Sequence, residues 1–385
     1  EVSPVTIAYT KEELGSKIHR EAALTAAEES ITLLKNNTTN GEPLLPLRNQ
    51  PLFVFGGAAD DLNLLNGAWT NTWQGNDSQY SHNPLYPTIW EALVKNRAAG
   101  EIEPRATKGL QYFAQALSSN TRTAKQLKTL KKSLTPNAVA IFCIGETPGT
   151  EIPGNIDDLA AEINAGDKQL FDFFVQNQVP VVLILATGRP RIITEYANKS
   201  TAVLQAYLPG NEGGTAIAKI IYGVTNPSGK LPYTYPRFAG DVVHYDHKST
   251  EKNDKLFGTN AYQPLFDFGS GLSYTQFGYT NLLVSPSKDQ GFQVSTTITN
   301  TGKVAGKEVC QLYYRDEYAS VTPSVKKLCA YLKTRLLQPG ESQTITFNIS
   351  REDLSFINKD LQRVTEPGDF TFMVKDQAVT VKVTD

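Results

Sequence analysis

The chain has 385 residues, enough for two cores rather than one, and its 37 Lys+Arg stand against 39 Asp+Glu for a formal net charge of −2. That balance excludes the electrostatic footprint of a nucleic-acid binder or of a helix that hugs an anionic membrane, and it favours a neutral or small polar partner. No run approaches the roughly 20 apolar residues of a membrane span, and the opening EVSPVTIAYTKEELG lacks the charged-then-apolar pattern of a leader.

In chain order, the first long pattern spans Lys11 to Asn36. Thr10 and Glu13 have capping-box spacing, and Leu14, Ile18, Leu24, Ile31 and Leu34 recur at near-helical intervals, which predicts one helix lying on another element. Short continuous apolar runs follow at 51–57, 138–145, 179–188 and 202–210. Apolar residues at consecutive positions, without alternation, suit strands buried on both faces of a parallel sheet. Helical segments are predicted at Tyr86 to Asn96, Lys168 to Gln176, Arg191 to Ala197 and Glu212 to Ile221, and their alternation with the runs predicts a doubly wound α/β domain with a mostly parallel sheet.

Near residue 225 the character changes. TNPSGKLPYTYPRFAG is too rich in proline and glycine to continue a helix and reads as a linker. From about Gly291 the period becomes two, in FQVSTTITN, EVCQLYYRD, SVKKLCAYLK, SQTITFNIS and DFTFMVKD, with turn signals between them, which predicts a β-sandwich of about 100 residues. Cys143 falls inside an apolar run and reads as core packing. Cys310 and Cys329 fall on two candidate strands, and a disulfide between them is left open. Glycosylation sequons at Asn36, Asn37, Asn76, Asn198 and Asn348 tilt towards secretion.

In an open parallel sheet, ligands bind beyond the carboxyl ends of the strands. The segments that follow the four runs are NGAWTNTWQGND (66–77), ETPGTEIPGN (146–155), Gly188-Arg189-Pro190 and Pro209-Gly210-Asn211-Glu212, so all four should share one rim. Trp69 and Trp73 stand in a loop of Gly, Asn, Thr and Gln. Each is either an exposed face on which a sugar ring can stack or a buried anchor for a long loop. Glu146, at the strand end, reads as a group that caps a backbone or orients another side chain. Glu151 sits five residues further out on a proline-bounded loop beside Ile152, where a carboxyl can donate a proton.

The other patterns are weaker. PGNEGG (209–214) lacks the glycine spacing of a dinucleotide site and reads as a helix start capped by Asn211. HYDH (244–247) reads as a solvated histidine pair rather than a metal site. No Gly-x-Ser-x-Gly elbow is present, and neither metal nor cofactor is expected.

The ordered series REAALTAAEESITLLKN, NGAWTNTWQG, IGETPGTE, TGRPRII, YLPGNEGGTAIAKIIYGVTNPSGKLPYTYP and PLFDFGSGLSYTQF resembles the C-terminal part of a glycoside hydrolase family 3 β-glucosidase or exo-β-glucanase. The segment after it resembles the fibronectin type III-like module that often follows. The resemblance implies a linker at 1–10, an α/β sandwich at 11–240, a wrapping linker at 241–285 and a fibronectin type III-like sandwich at 286–385. It also implies that Glu151 is the general acid/base, that Trp73, with Trp69 beside it, stacks on the sugar in the +1 subsite, and that Glu146 supports them. The family's barrel, which carries the nucleophilic aspartate, is absent from the resemblance. The expected partners are therefore a β-glucoside and an N-terminal barrel fragment of the same enzyme, in a secreted or extracellular setting, with periplasm or lysosome as variants. The alternative is a non-catalytic carbohydrate-binding or scaffold fragment.

Overall fold

The computed structural model describes residues 13–39, 41–48, 50–98, 114–241, 244–246, 248, 262–287 and 291–384. Thr10 of the expected capping pair and the expected linker at 1–10 lie outside them. The chain divides into two units, one ending at Gly229 and one beginning at Lys230.

The first unit opens with α1 (Lys17–Ser30), β1 (Thr32–Asn36) and the small hairpin of β2 (Thr38–Thr39) and β3 (Glu42–Pro43). There follow β4 (Leu52–Phe55), α2 (Asn63–Asn66), α3 (Ile89–Ala98), β5 (Ala114–Ala116), α4 (Ala124–Ser133), β6 (Val139–Gly145), α5 (Ala165–Gln176), β7 (Val181–Ala186), α6 (Thr194–Lys199), β8 (Ala202–Gln205) and α7 (Gly213–Ile221). The sheet order is β1-β8-β7-β6-β4-β5. The last five are parallel, and β1 pairs with β8 antiparallel at the edge. All four apolar runs are strands, and every residue of β4, β6, β7 and β8 is buried.

Strand order reverses between β4 and β6. The chain moves from β4 outward to β5, then crosses back and runs on through β6, β7 and β8. Right-handed crossovers in opposite directions place helices on opposite faces of the sheet, and the reversal opens a crevice beyond the carboxyl ends of β4 and β6. On one side of the sheet α5 and α6 bring Phe171, Phe174 and Tyr196 against Phe53, Phe55 and Phe142. Helices α1 and α3 each pack on α7.

The single long helix expected from Lys11 to Asn36 is corrected. It ends at Ser30, and the chain turns into β1, where Ile31 and Leu33 are fully buried. The β-branched pair Ile31-Thr32 and the unpaired edge of β8 favour a strand there, although the spacing of the leucines also satisfies a helix. The C-terminal half of α1 lies on α7, with Glu28 paired to Lys219, whereas Leu14 and Ile18 are exposed.

The second unit holds a three-stranded antiparallel sheet and a four-stranded one. The first runs β13 (Ser342–Ile349), β10 (Phe292–Asn300), β9 (Phe277–Pro286); the second runs β12 (Lys327–Lys333), β11 (Val309–Asp316), β16 (Gly368–Val374), β17 (Gln377–Val383). A short pair, β14 (Phe356–Ile357) and β15 (Arg363–Val364), stands apart. Strict alternation in β10 and β11 sends Val294, Ile298 and Leu312 into a shared core with Phe347, Phe370 and Phe372. This is the expected all-β sandwich. All three cysteines are free. Cys310 faces Leu332 across the β11–β12 ladder, and the register does not bring Cys329 opposite it; burial pushes both thiols up to about 12.

Candidate active site

The cleft is built upward from the end of β6. Gly145 closes the strand, and Glu146 follows at 7% exposure. A carboxylate so buried needs donors, and it has them. The backbone N–H groups of Gly188 and Arg189 each donate to its Oε2 at 3.1 Å, Arg189 Nε donates to Oε1, and Arg191 Nε lies 3.2 Å from Oε1. Arg191, 3% exposed along its side chain, also pairs with Glu162. Glu162 in turn accepts from the backbone N–H (2.9 Å) and the hydroxyl (2.5 Å) of Thr147. Arg189 Nη1 reaches on to the carbonyl of Gly154 at 2.9 Å. These bonds tie the base of the loop after β6 to the loop after β7.

Glu151 stands on the outer part of that loop under opposite conditions. It is exposed, and among the described residues no donor reaches its carboxylate. Its backbone lies at φ 55° and ψ −148°, in a region that is essentially glycine's and that costs a side-chain-bearing residue about 1–3 kcal/mol. The turn closes through Gly154 N–H, which donates to the carbonyls of Thr150 and Glu151 at 3.0 Å. A Cβ at Gly154 would sit 2.6 Å from the backbone carbon of Gly149, so only glycine permits this closure.

The loop after α2 carries the tryptophans. Trp69 N–H donates to the carbonyl of Trp73 at 2.9 Å, and Trp69 itself is left-handed at φ 56°. Gly75, at φ 71°, has backbone where a Cβ would lie 2.1 Å from the carbonyl oxygen of Gly67. Both indoles are exposed, 65% for Trp69 and 49% for Trp73, with ring centroids 6.2 Å apart and planes tilted by 50°. Trp69 Nε1 donates to Thr150 Oγ1 at 3.1 Å, and the Gln74 carboxamide bonds both the N–H and the carbonyl of Thr150. Of the two readings of this loop, the buried anchor is met by neither tryptophan; Trp69 keeps an exposed face while its Nε1 bonds the neighbouring loop.

A cleft of about 690 Å³ is lined by Gly67, Glu146, Thr150, Glu151 and Arg189 from three of the expected rim segments; the loop after β8 reaches it through Leu208 rather than through 209–212, and neither Trp69 nor Trp73 is among its lining residues. The loop after β8 is fastened by Asn66 Nδ2, which donates to Asn211 Oδ1 at 2.8 Å. Asn211 therefore does not cap α7, contrary to expectation. Glu212 occupies the N-cap position without a side-chain bond, and burial raises its pKa.

His244 is described, and His247 lies outside the described residues. Among the described residues no group of three His, Cys, Asp or Glu is arranged to hold a metal ion, and no helix is long and apolar enough to cross a membrane. Asn36 of the first sequon spends its amide on the N–H and carbonyl of Leu45, both at 2.9 Å, whereas Asn37, Asn76, Asn198 and Asn348 are exposed. Sequence reasoning placed Gln74 and Arg189 on rim segments without giving either a role, and it missed Glu162 and Arg191. The two arginines carried a readable signal, since a carboxylate at a buried strand end needs donors and a guanidinium supplies several; Gln74 carried none.

Residues 31–274 match the glycosyl hydrolase family 3 C-terminal domain, and residues 308–378 match the fibronectin type III-like domain. The chain is 38% identical over 384 residues to the lysosomal beta glucosidase of Dictyostelium discoideum, covering 94% of this chain and 44% of that protein. It is 31% identical to the periplasmic beta-glucosidase of Salmonella typhimurium, covering 95% and 50% respectively. Among solved structures, a mutant beta-glucosidase from Listeria innocua in complex with laminaribiose superposes with a TM-score of 0.81 at 26% identity, over 99% of this chain and 52% of that one. The same enzyme in complex with glucose superposes at 0.79. The chain thus spans about half the length of the curated relatives it matches.

Proposed function

The chain belongs to glycoside hydrolase family 3, and from that premise we propose that its first unit furnishes the proton donor of a retaining, exo-acting β-glucosidase. Glu151 is the general acid/base, Trp73 with Trp69 beside it is the stacking face for the sugar in the +1 subsite, and Glu146 supports the loop. The observation that carries this reading is the contrast between the two carboxyls of the cleft. Glu146 has its oxygens occupied by backbone N–H groups and guanidinium nitrogens, whereas Glu151 is vacant, exposed and held in a costly backbone conformation, the kind of strain that persists at functional sites.

Retention of configuration needs a second carboxyl about 5 Å from the first. In this proposal it comes from an aspartate on a barrel fragment outside these 385 residues. In the first step the aspartate oxygen bonds the anomeric carbon as the bond from that carbon to the glycosidic oxygen breaks, and Glu151 gives its proton to the departing oxygen. In the second, Glu151, now a carboxylate, takes a proton from water as the water oxygen displaces the aspartate. The substrate class is a terminal β-D-glucosyl residue of an oligosaccharide or β-glucan, supported by the laminaribiose and glucose complexes of the Listeria enzyme. A secreted, periplasmic or lysosomal setting is supported by the names of two relatives and by the exposed sequons.

The test is hydrolysis of an aryl β-glucoside by the chain alone and after addition of the N-terminal barrel fragment. Turnover with retained configuration in the mixture, and none with the chain alone, is expected. Absence of turnover in both, with sugar binding intact, would leave the non-catalytic carbohydrate-binding fragment as the better reading.

A further inference from the structure

The residue before Glu151 is gripped from the tryptophan loop, 76 positions earlier in the chain. Thr150 N–H donates to Gln74 Oε1 at 2.9 Å, and Gln74 Nε2 donates to the Thr150 carbonyl at 3.3 Å. A carboxamide that engages both polar backbone groups of one residue repeats the two-bond exchange by which strand residues pair, and it leaves that residue little freedom to rotate. The third bond, from Trp69 Nε1 to Thr150 Oγ1, comes from the same loop. On the far side of Glu151, Arg189 Nη1 holds the carbonyl of Gly154.

Glu151 therefore lies between two clamps. A backbone at φ 55° and ψ −148° persists only where its neighbours over-determine it; within the loop Gly154 N–H holds the carbonyls of Thr150 and Glu151, and from outside the loop the holding contacts come from Gln74 on one side and Arg189 on the other. Gln74 directly follows Trp73, so the sugar-stacking platform and the proton donor are joined through a single side chain.

Resting on the reading of Glu151 as the acid/base, we infer that Gln74 is a positioning residue. Its carboxamide holds Glu151 in its outward, left-handed geometry and couples proton delivery to the platform at Trp73. Gln74 itself touches neither the bond that breaks nor the proton.

The experiment uses the chain combined with the barrel fragment, with aryl β-glucosides whose phenol leaving groups range from activated to poor. Gln74→Met keeps the volume of the side chain and removes both bonds. Its kcat/KM is expected to fall about tenfold on the poorest leaving groups and less than about threefold on activated ones, because only the former need the proton. In a Glu151→Ala background Gln74→Met is expected to add no further leaving-group-dependent loss, and Trp73→Ala with Gln74→Met should be non-additive.

Equal loss on every leaving group, or an additive leaving-group-dependent loss in the Glu151→Ala background, would overturn the inference. If Glu151→Ala steepens the leaving-group dependence and Gln74→Met does not, only the role of Gln74 fails; if Glu151→Ala itself leaves that dependence unchanged, the acid/base reading fails. Gln74→Ala is the second variant, and loss of folding in both would assign Gln74 to stability alone and overturn the positioning role.

Discussion

The floor and the lip of the cleft each hold a glutamate, five residues apart in sequence, and the fold treats them in opposite ways. At the floor, Glu146 is buried among two backbone N–H groups and two guanidinium groups. At the lip, Glu151 has no partner among the described residues and sits on a strained backbone. Burial with satisfied bonds makes a carboxylate part of the scaffold, and exposure without a donor leaves its oxygens open to solvent or a ligand. The difference shows that the number of carboxylates in a pocket says less than where the hydrogen bonds go.

Three substitutions would break or sharpen that contrast. The largest effect belongs to Glu151→Ala: with the barrel fragment present, kcat/KM on glucosides with poor leaving groups should drop by about a thousandfold, and by far less on activated ones. Uniform loss across leaving groups, measured by steady-state kinetics, would move Glu151 out of the acid role.

Next is Glu146→Ala, which leaves Arg191, 3% exposed along its side chain, with Glu162 as its remaining carboxylate. Breaking a buried pair by removing one partner costs about 3 kcal/mol. A lower urea midpoint for the chain alone is the expected result, and an unchanged midpoint would show that the floor is not scaffold.

The smallest effect is of opposite sign. Glu151→Gly should relieve about 1–3 kcal/mol of backbone strain, against about 0.5–1 kcal/mol of added unfolded-state entropy. The net is a gain of about 1 kcal/mol in unfolding stability, with activity on poor leaving groups lost. A variant less stable than the parent would mean that the left-handed backbone at 151 stores no strain.

Much of the fold was legible because local pattern and burial agree in it. Four continuous apolar runs became four fully buried strands, and the period-two reading found β10, β11, β12, β13 and β16. Where pattern and environment diverge, reading failed. The helix α4 carries Leu127 and Leu130 among lysines, and only Leu130 is buried; β9 buries few of its side chains and shows no alternation. The leucines of β1 satisfy helical spacing as well as strand burial, and it took the open edge of β8, with the β-branched pair Ile31-Thr32, to decide between them.

By itself the sequence determined two classes of layer, the rim that four loops would share, and the residue types able to work there. The tertiary structure decided which groups meet: Glu146 with Arg189, 43 positions apart, and Gln74 with Thr150, 76 apart. Hydrogen bonds reach only about 3 Å, so partners this far apart in the chain leave no local period to read. Glu146 and Arg189 become neighbours because β6 and β7 pair in parallel and end side by side, and Gln74 and Thr150 because the loops after β4 and β6 meet where the strand order reverses.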